Sequence, residues 1–336
     1  MRFLICADAH IRSDRLKTGR ALLRGCAHLC LEERADAMIF NGDLLHERVG
    51  TTVDCLLMVH EELGKFSVPV YWVRGNHELT VYSKPHHTVM SLFDGVCSTV
   101  IDPRILRVPA GAIYFLPWYP ADQYKHRARI LAKESLLDSG TKVLVSHIGL
   151  NEGSPTASNT RVECGVSLSD LYPNSYDTVL LGDFHRRQYL RRNAMYLGCP
   201  HSHAHGDDVS NGIVLYDMIR KELSYVAMPE ETKLPRHISL TYNSPTDFSE
   251  VDPEDFTRIH CPASLAELVR ERYPYPRVKV IPVNQPNVRS GATARRVNSL
   301  RASTDDILLA LMKSKGWGGE FLEMARDAVG EAERVK

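Results

Sequence analysis

Five short apolar runs in this chain each end in a turn that carries a carboxylate, an imidazole or a carboxamide. Phe3–Ala7 leads into Asp8-Ala9-His10, Ala37–Phe40 into Gly42-Asp43-Leu44-Leu45-His46, and Val68–Val73 into Gly75-Asn76-His77-Glu78. Val143–Val145 leads into Ser146-His147, and Val179–Leu181 into Gly182-Asp183-Phe184-His185. Runs this short and this apolar read as buried strands. Further runs occur at Ile113–Leu116, Met195–Leu197, Ile213–Tyr216 and Leu223–Val226. Between the first and second runs, Leu16, Leu22, Leu23, Cys26, Leu29 and Cys30 recur at helical spacing. Between the second and third, Val53, Leu56, Leu57, His60 and Leu63 do so, with Thr51 or Thr52 as N-cap. Alternation of this kind up to about Glu230 predicts a layered α/β architecture. In such sheets, ligands bind just past the carboxyl ends of the strands, which is where the polar turns fall.

A second unit begins near Pro235, with strands at Thr257–His260 and Val278–Pro282 flanking a helix from Ser264 to Arg272 that Pro274 ends. The expected organisation is a main domain over 1–232, a small α+β module over 233–284, a basic linker over 285–302 and a helical tail over 303–336. The linker holds Arg289, Arg295, Arg296 and Arg301 without an acidic residue. In the tail, Ser303 with Asp306 offers a cap. Ile307, Leu308, Leu311 and Met312 make one stripe, and Phe321, Leu322, Ala325 and Val329 a second. An amphipathic helical pair at a chain end suits a groove on a partner protein.

Composition narrows the setting. The formal net charge is zero, which argues against coating nucleic acid by bulk charge but not against gripping phosphate with metals and local arginines. The 8 cysteines are scattered without a CxxC pair, so neither a disulfide framework nor a structural zinc site is expected, and a cytoplasmic setting fits. No apolar stretch is long enough to span a bilayer, and the run ended by Asp8 is too short for a signal peptide.

The polar turns point to metal chemistry at phosphorus. Two divalent cations about 3.5–4 Å apart can bind both the attacking and the leaving oxygen of an in-line displacement. Asp, His and Asn are suitable ligands, and the absence of thiolate in these turns favours Mn²⁺, with Fe²⁺ or Zn²⁺ as alternatives. Asp8 and Asp43 follow apolar runs, where an unpaired carboxylate is costly to bury.

The ordered set DxH, GDxxH, GNHE, H and GxxH resembles the calcineurin-like metallophosphoesterases. His46 and the Gly182–Gln188 stretch are similar, more narrowly, to the nuclease subunit of SbcCD-type recombination and repair complexes, T-even phage versions included. The resemblance implies a β-sandwich flanked by helices, with a small capping domain. It implies that Asp8, His10, Asp43 and His185 hold one metal, and that Asp43, Asn76, His147 and Asp183 hold the other, with Asp43 bridging. His77 would serve the departing oxygen and His46 would orient the substrate. The partners implied are DNA, an SMC-like ABC ATPase docked through the C-terminal helices, and a second copy of the chain. Asp183 departs from the family's commoner GHxH form, and this leaves two outcomes open, tighter metal binding through the added negative charge or a weak second metal. A phosphatase or small-molecule phosphodiesterase is the alternative activity, and a non-catalytic scaffold on the same fold is a third.

Other features have plainer readings. Arg186 and Arg187 either contact phosphate beside the metals or blunt a solvated hairpin edge, together with Arg191 and Arg192. His201, His203 and His205, followed by Asp207 and Asp208, read as a surface loop. His86 and His87 form an exposed pair without a role. Trp72 reads as core, whereas Tyr82, Trp118, Tyr119 and Tyr124 lie in loop-rich stretches that could touch DNA.

Overall fold

The computed structural model describes residues 1–81, 84, 86–155, 162–203, 205 and 213–283. The expected linker and helical tail lie outside these residues, as do Tyr82, Asp207 and Asp208. In chain order the strands are β1 (Arg2–Cys6), β2 (Ala37–Asn41), β3 (Val70–Val73), β4 (Ser98–Val100), β5 (Arg104–Val108), β6 (Gly111–Leu116), β7 (Thr141–His147) and β8 (Thr178–Gly182). They continue as β9 (Gln188–Arg191), β10 (Ala194–Tyr196), β11 (Ile213–Asp217), β12 (Glu222–Val226), β13 (His237–Thr241), β14 (Phe256–Pro262) and β15 (Val278–Val283). The α-helices are α1 (Leu16–Glu32), α2 (Val53–Leu63), α3 (Ala121–Glu134) and α4 (Ala266–Arg272).

The strands up to β12 form two six-stranded sheets. The first has the order β12-β11-β1-β2-β3-β4, with β1 to β4 parallel. The second has the order β5-β6-β7-β8-β10-β9, parallel from β6 to β10 and closed by antiparallel β5 and β9. Phe3, Ile5, Ile39 and Val73 of the first sheet pack against Ile113, Phe115, Val145 and Leu180 of the second. The alternate residues of the first sheet, among them Leu4, Met38, Phe40 and Trp72, meet Leu22, Cys26, Leu29, Met58 and Val59 of α1 and α2. On the far side, Tyr114, Leu116, Leu144 and Leu181 meet Tyr124, Ala128 and Leu131 of α3. The result is a β-sandwich with helices on both outer faces. Each central strand is covered on both sides, which is why its sequence is apolar throughout instead of alternating.

Thr52 caps α2, its Oγ1 accepting from Cys55 N at 3.3 Å. The face that α2 buries differs from the expected stripe. Val53 and Leu57 are 69% and 63% exposed, while Cys55, Met58, Val59, Glu62 and Leu63 are buried. Glu62 makes the buried face look polar in sequence. Its side chain is 1% exposed and accepts Arg20 at 2.6 Å, Lys65 at 3.1 Å and Arg24 at 3.2 Å.

Residues beyond β12 build a separate parallel sheet of order β13-β14-β15. Its core is Tyr242, Ile259, Cys261, Ala266, Val269 and Tyr273, the last three contributed by α4 and the residue after it. None of the 8 cysteines is paired in a disulfide. No helix among the described residues is long and apolar enough to cross a membrane.

Candidate metal centre

The turns after β1, β2, β3 and β8, together with the end of β7, meet at one edge of the sandwich. Asn41, the last residue of β2, stitches the sheets there. Its amide donates to Ser146 O at 3.0 Å and its carbonyl accepts from His147 Nδ1 at 2.8 Å. Asp183 N donates to Asp8 Oδ1 at 3.0 Å, and His77 N to Asp43 Oδ1 at 2.9 Å.

These turns are sharp. Asp8, His10, Asp43 and Asp183 have φ of 54°, 45°, 49° and 98°. Left-handed backbone is costly for residues with a Cβ and persists where surrounding contacts impose it, commonly at functional sites. Two glycines are sterically required. A Cβ on Gly75 would lie 2.1 Å from Asp43 Oδ1, and one on Gly42 would lie 2.0 Å from His147 Nδ1.

Asp43 is the hub of the cluster. Its Oδ2 lies 3.4 Å from His147 Nε2, 3.7 Å from His10 Nε2 and 3.9 Å from His77 Nε2. His147 Nε2 also lies 3.9 Å from Asp8 Oδ1 and 3.8 Å from Asp183 Oδ1. Because the Asn41 carbonyl can only accept, His147 carries a proton on Nδ1. The Asp43, Asp8 and Asp183 carboxylates outweigh burial and raise the imidazole well above its usual value, so that a divalent ion held there would take the place of the Nε2 proton. His10 Nε2 and His185 Nε2 are 3.0 Å apart. The Asn76 side-chain amide lies against Asp43, 3.2 Å from Oδ1 and 3.0 Å from Oδ2, with its other end 3.0 Å from Arg48 Nη2. In the orientation that satisfies these neighbours its nitrogen donates to the carboxylate, and a bound cation would draw the oxygen in instead.

The donor set therefore fits two divalent ions. Asp8, His10, Asp43 and His185 could hold one, and Asp43, Asn76, His147 and Asp183 the other. Donor atoms of Asp8, His10 and His185 all lie within 4.8 Å of one another, as do those of Asp8, Asp43 and His147. Burial pushes the Asp8 carboxyl up to about 7, against the pull of His147 and His185. Burial also raises Asp183. Asp43 resists the same burial penalty and stays below the usual carboxylate range because His147 and His77 face it. Burial holds His10 well below the usual imidazole value, which keeps it in the neutral form that ligates.

His46 and His77 flank this cluster. Arg12 Nη1 donates to His46 Nε2 at 2.7 Å, while His46 Nδ1 lies 3.3 Å from His10 Nδ1. His77 Nδ1 donates to the His46 carbonyl, which leaves Nε2 as the atom facing Asp43. Arg186 and Arg187 are half-buried, and the Arg187 guanidinium stacks 4.0 Å over the ring of Tyr225 in β12.

Several residues without an expected role are part of the site. The Glu78 carboxylate accepts from Asp43 N at 3.0 Å, Leu45 N at 3.1 Å and Gly75 N at 2.7 Å, and so clamps the two turns together. Arg12 and Asn41 act as described. The expectation of a surface loop at His201–His205 is revised for His201 and His203. His203 Nε2 donates to Asp8 O at 2.7 Å, and its ring lies 5.0 Å from that of His10 and 4.3 Å from that of His201. The available signal was that β10 is a sixth apolar run ending in histidines. Tyr119 and Tyr124 are also revised, since both are fully buried and neither offers a surface to DNA. Tyr119 bonds Asp102 at 2.7 Å, and Tyr124 bonds Ser146 Oγ at 2.6 Å. Trp72 is buried, Trp118 is half-buried, and His86 and His87 are exposed.

A family model described as calcineurin-like phosphoesterase matches residues 1–187. The protein named "Putative phosphoesterase 244L" of Invertebrate iridescent virus 6 is 22% identical over 227 residues, which covers 64% of this chain and 75% of that one. Among solved structures, TT1561 of Thermus thermophilus aligns with a TM-score of 0.45 at 13% identity, over 68% of this chain and 99% of its own. A dimetal phosphatase from Danio rerio aligns with a TM-score of 0.42 at 14% identity, over 68% and 99%.

Proposed function

Since this chain belongs to the calcineurin-like phosphoesterase family, we propose that it is a two-metal DNA nuclease, the catalytic subunit of an SbcCD-type recombination and repair complex. The observation that carries the reading is the position of Asp43, with imidazoles 3.4 Å and 3.7 Å from the same carboxylate oxygen and the Asn76 amide beside it. A pair of bound divalent ions, Mn²⁺ in this reading, would neutralise the phosphate and gather the attacking and leaving oxygens.

The chain's own residues supply the rest. His77, with Nδ1 held by the His46 carbonyl, presents Nε2 to the departing oxygen and handles its proton. Arg12 fixes the His46 ring, which lines the approach to the ions. His46, the arginines after His185 and the small sheet beyond β12 favour a polymeric substrate over a small ester. Docking of an SMC-like ATPase on the tail over 303–336 is what the resemblance implies, and the amphipathic sequence pattern of that segment suits it.

Purified protein with Mn²⁺ should degrade linear duplex or single-stranded DNA. Asp43→Ala should abolish cleavage, and His77→Ala should slow it by about 10²-fold or more. Equal cleavage by the variants and the unmodified protein would sink the reading. Faster hydrolysis of p-nitrophenyl esters than of DNA would favour a small-ester hydrolase instead.

A further inference from the structure

A run of contacts leads from the metal centre to the small sheet, and its central residues lie outside the five polar turns. His203 donates from Nε2 to the Asp8 carbonyl at 2.7 Å, since a carbonyl only accepts. The Asp8 peptide is pinned on its other flank by the β2 turn, with Asp8 N on Gly42 O at 3.2 Å and His10 N on Asp43 O at 2.8 Å. Asp8 sits at φ 54°, a conformation that needs such bracing. Fixing its carbonyl fixes the peptide that aims the Asp8 carboxylate and, two residues on, His10.

The neighbouring residue faces the other way. Ser202 is 3% exposed, and its Oγ accepts from His237 N at 2.9 Å. His237 Nδ1 in turn lies 3.1 Å from Ser202 O. His237 opens β13, and its ring stacks on Phe256 of β14 at 4.7 Å. The Arg15 guanidinium lies 4.0 Å over that same Phe256 ring, just ahead of α1. Adjacent residues on one short segment thus grip the metal centre and the small sheet.

We propose that His203 is a positioning residue for Asp8, and that the Ser202–His237 contact makes the small sheet part of what sets metal affinity. The Nε2 of His203 is committed to the Asp8 carbonyl, and through that bond the ring holds the Asp8 turn in place. The proposal rests on the metal-centre reading above.

The test is Mn²⁺ binding by the full chain without DNA, followed by the EPR signal of free Mn²⁺. His203→Ala should weaken binding by about 10–100-fold, the usual cost of losing a group that orients a ligand. His203→Gln keeps an amide N–H at the Nε2 position and should stay within about threefold of the unmodified protein. His237→Ala, which leaves all the ligand candidates in place, should weaken binding in the same direction. Unchanged affinity in His203→Ala would overturn the proposal. So would a His203→Gln variant as weak as His203→Ala, because the imidazole would then be a ligand itself. Should His203→Ala fail to fold, His237→Ala decides, and affinity equal to the unmodified protein overturns the proposal. An unmodified protein that binds no Mn²⁺ would overturn the metal-centre reading, and this proposal with it.

Discussion

Glu78 shares a turn with Asn76 and His77 but points its carboxylate at backbone. It is 1% exposed and takes three N–H donors from two turns, while burial and the nearby Asp43 push it up to about 7. Glu78→Gln keeps the shape but puts an NH₂ where an oxygen accepted, leaving at least one buried N–H unmatched. The expected cost is about 1–3 kcal/mol in urea unfolding, with weaker Mn²⁺ binding because the Asp43 turn loosens. Unchanged unfolding and unchanged binding together would show that the clamp is idle. Individual residues differed in how far they could be read. Asp8 and Asp43 stood out because a carboxylate closing an apolar run needs a partner, and Asp183 because it stands where the resembled motif commonly has a histidine. Glu78 and Asn41 did not, because the Glu78 partners in the other turn lie 33 and 35 residues away and Ser146 lies 105 from Asn41, and no local pattern records such a pairing. His203 was hidden by its company, since a polar tract of histidines and aspartates has the composition of a solvated loop.

The α1–α2 contact turns on one buried charge. Burial would raise the Glu62 carboxyl, but Arg24 and Lys65 outweigh it and hold it below the ordinary range. A depressed carboxylate stabilises the fold above its unfolded value of about 4.3 and loses that contribution as pH falls through the lower folded value. Glu62→Gln should therefore cost about 1–2 kcal/mol at pH 7, with partners that stay partly solvated, and progressively less below about pH 4. Urea midpoints at both pH values measure it, and an equal gap at each would refute the assignment. Legibility at this scale followed burial. Central strands covered on both faces showed as continuous apolar runs. Edge strand β9, with the pattern Gln188-Tyr189-Leu190-Arg191, gave only a hairpin-edge reading, and β5 and β13 gave none. Helix α3 was missed because its buried Tyr124, Ala128, Leu131 and Ala132 are interleaved with charged residues.

On the scale of the whole molecule, the metal centre belongs to neither sheet alone. Ligand candidates come from β1, β2 and β3 on one side and from β7 and β8 on the other, so a bound ion should hold the sandwich together. Mn²⁺ at a hundredfold excess over its Kd should add about 2.7 kcal/mol per tight site. Calorimetry should show the main transition rising by a few degrees and EDTA reversing it, while an unshifted transition would argue against ions shared between the sheets. The sandwich followed from the resemblance and not from periodicity, because which strands lie side by side is settled by long crossovers. The neighbouring position of β8 and β10 is one case, and the all-parallel order of the small sheet is another. Asp8 and Asp183 are joined directly across 175 positions of chain. A polypeptide still emerging from the ribosome therefore lacks the complete donor set until the turn that carries Asp183 and His185 has been made.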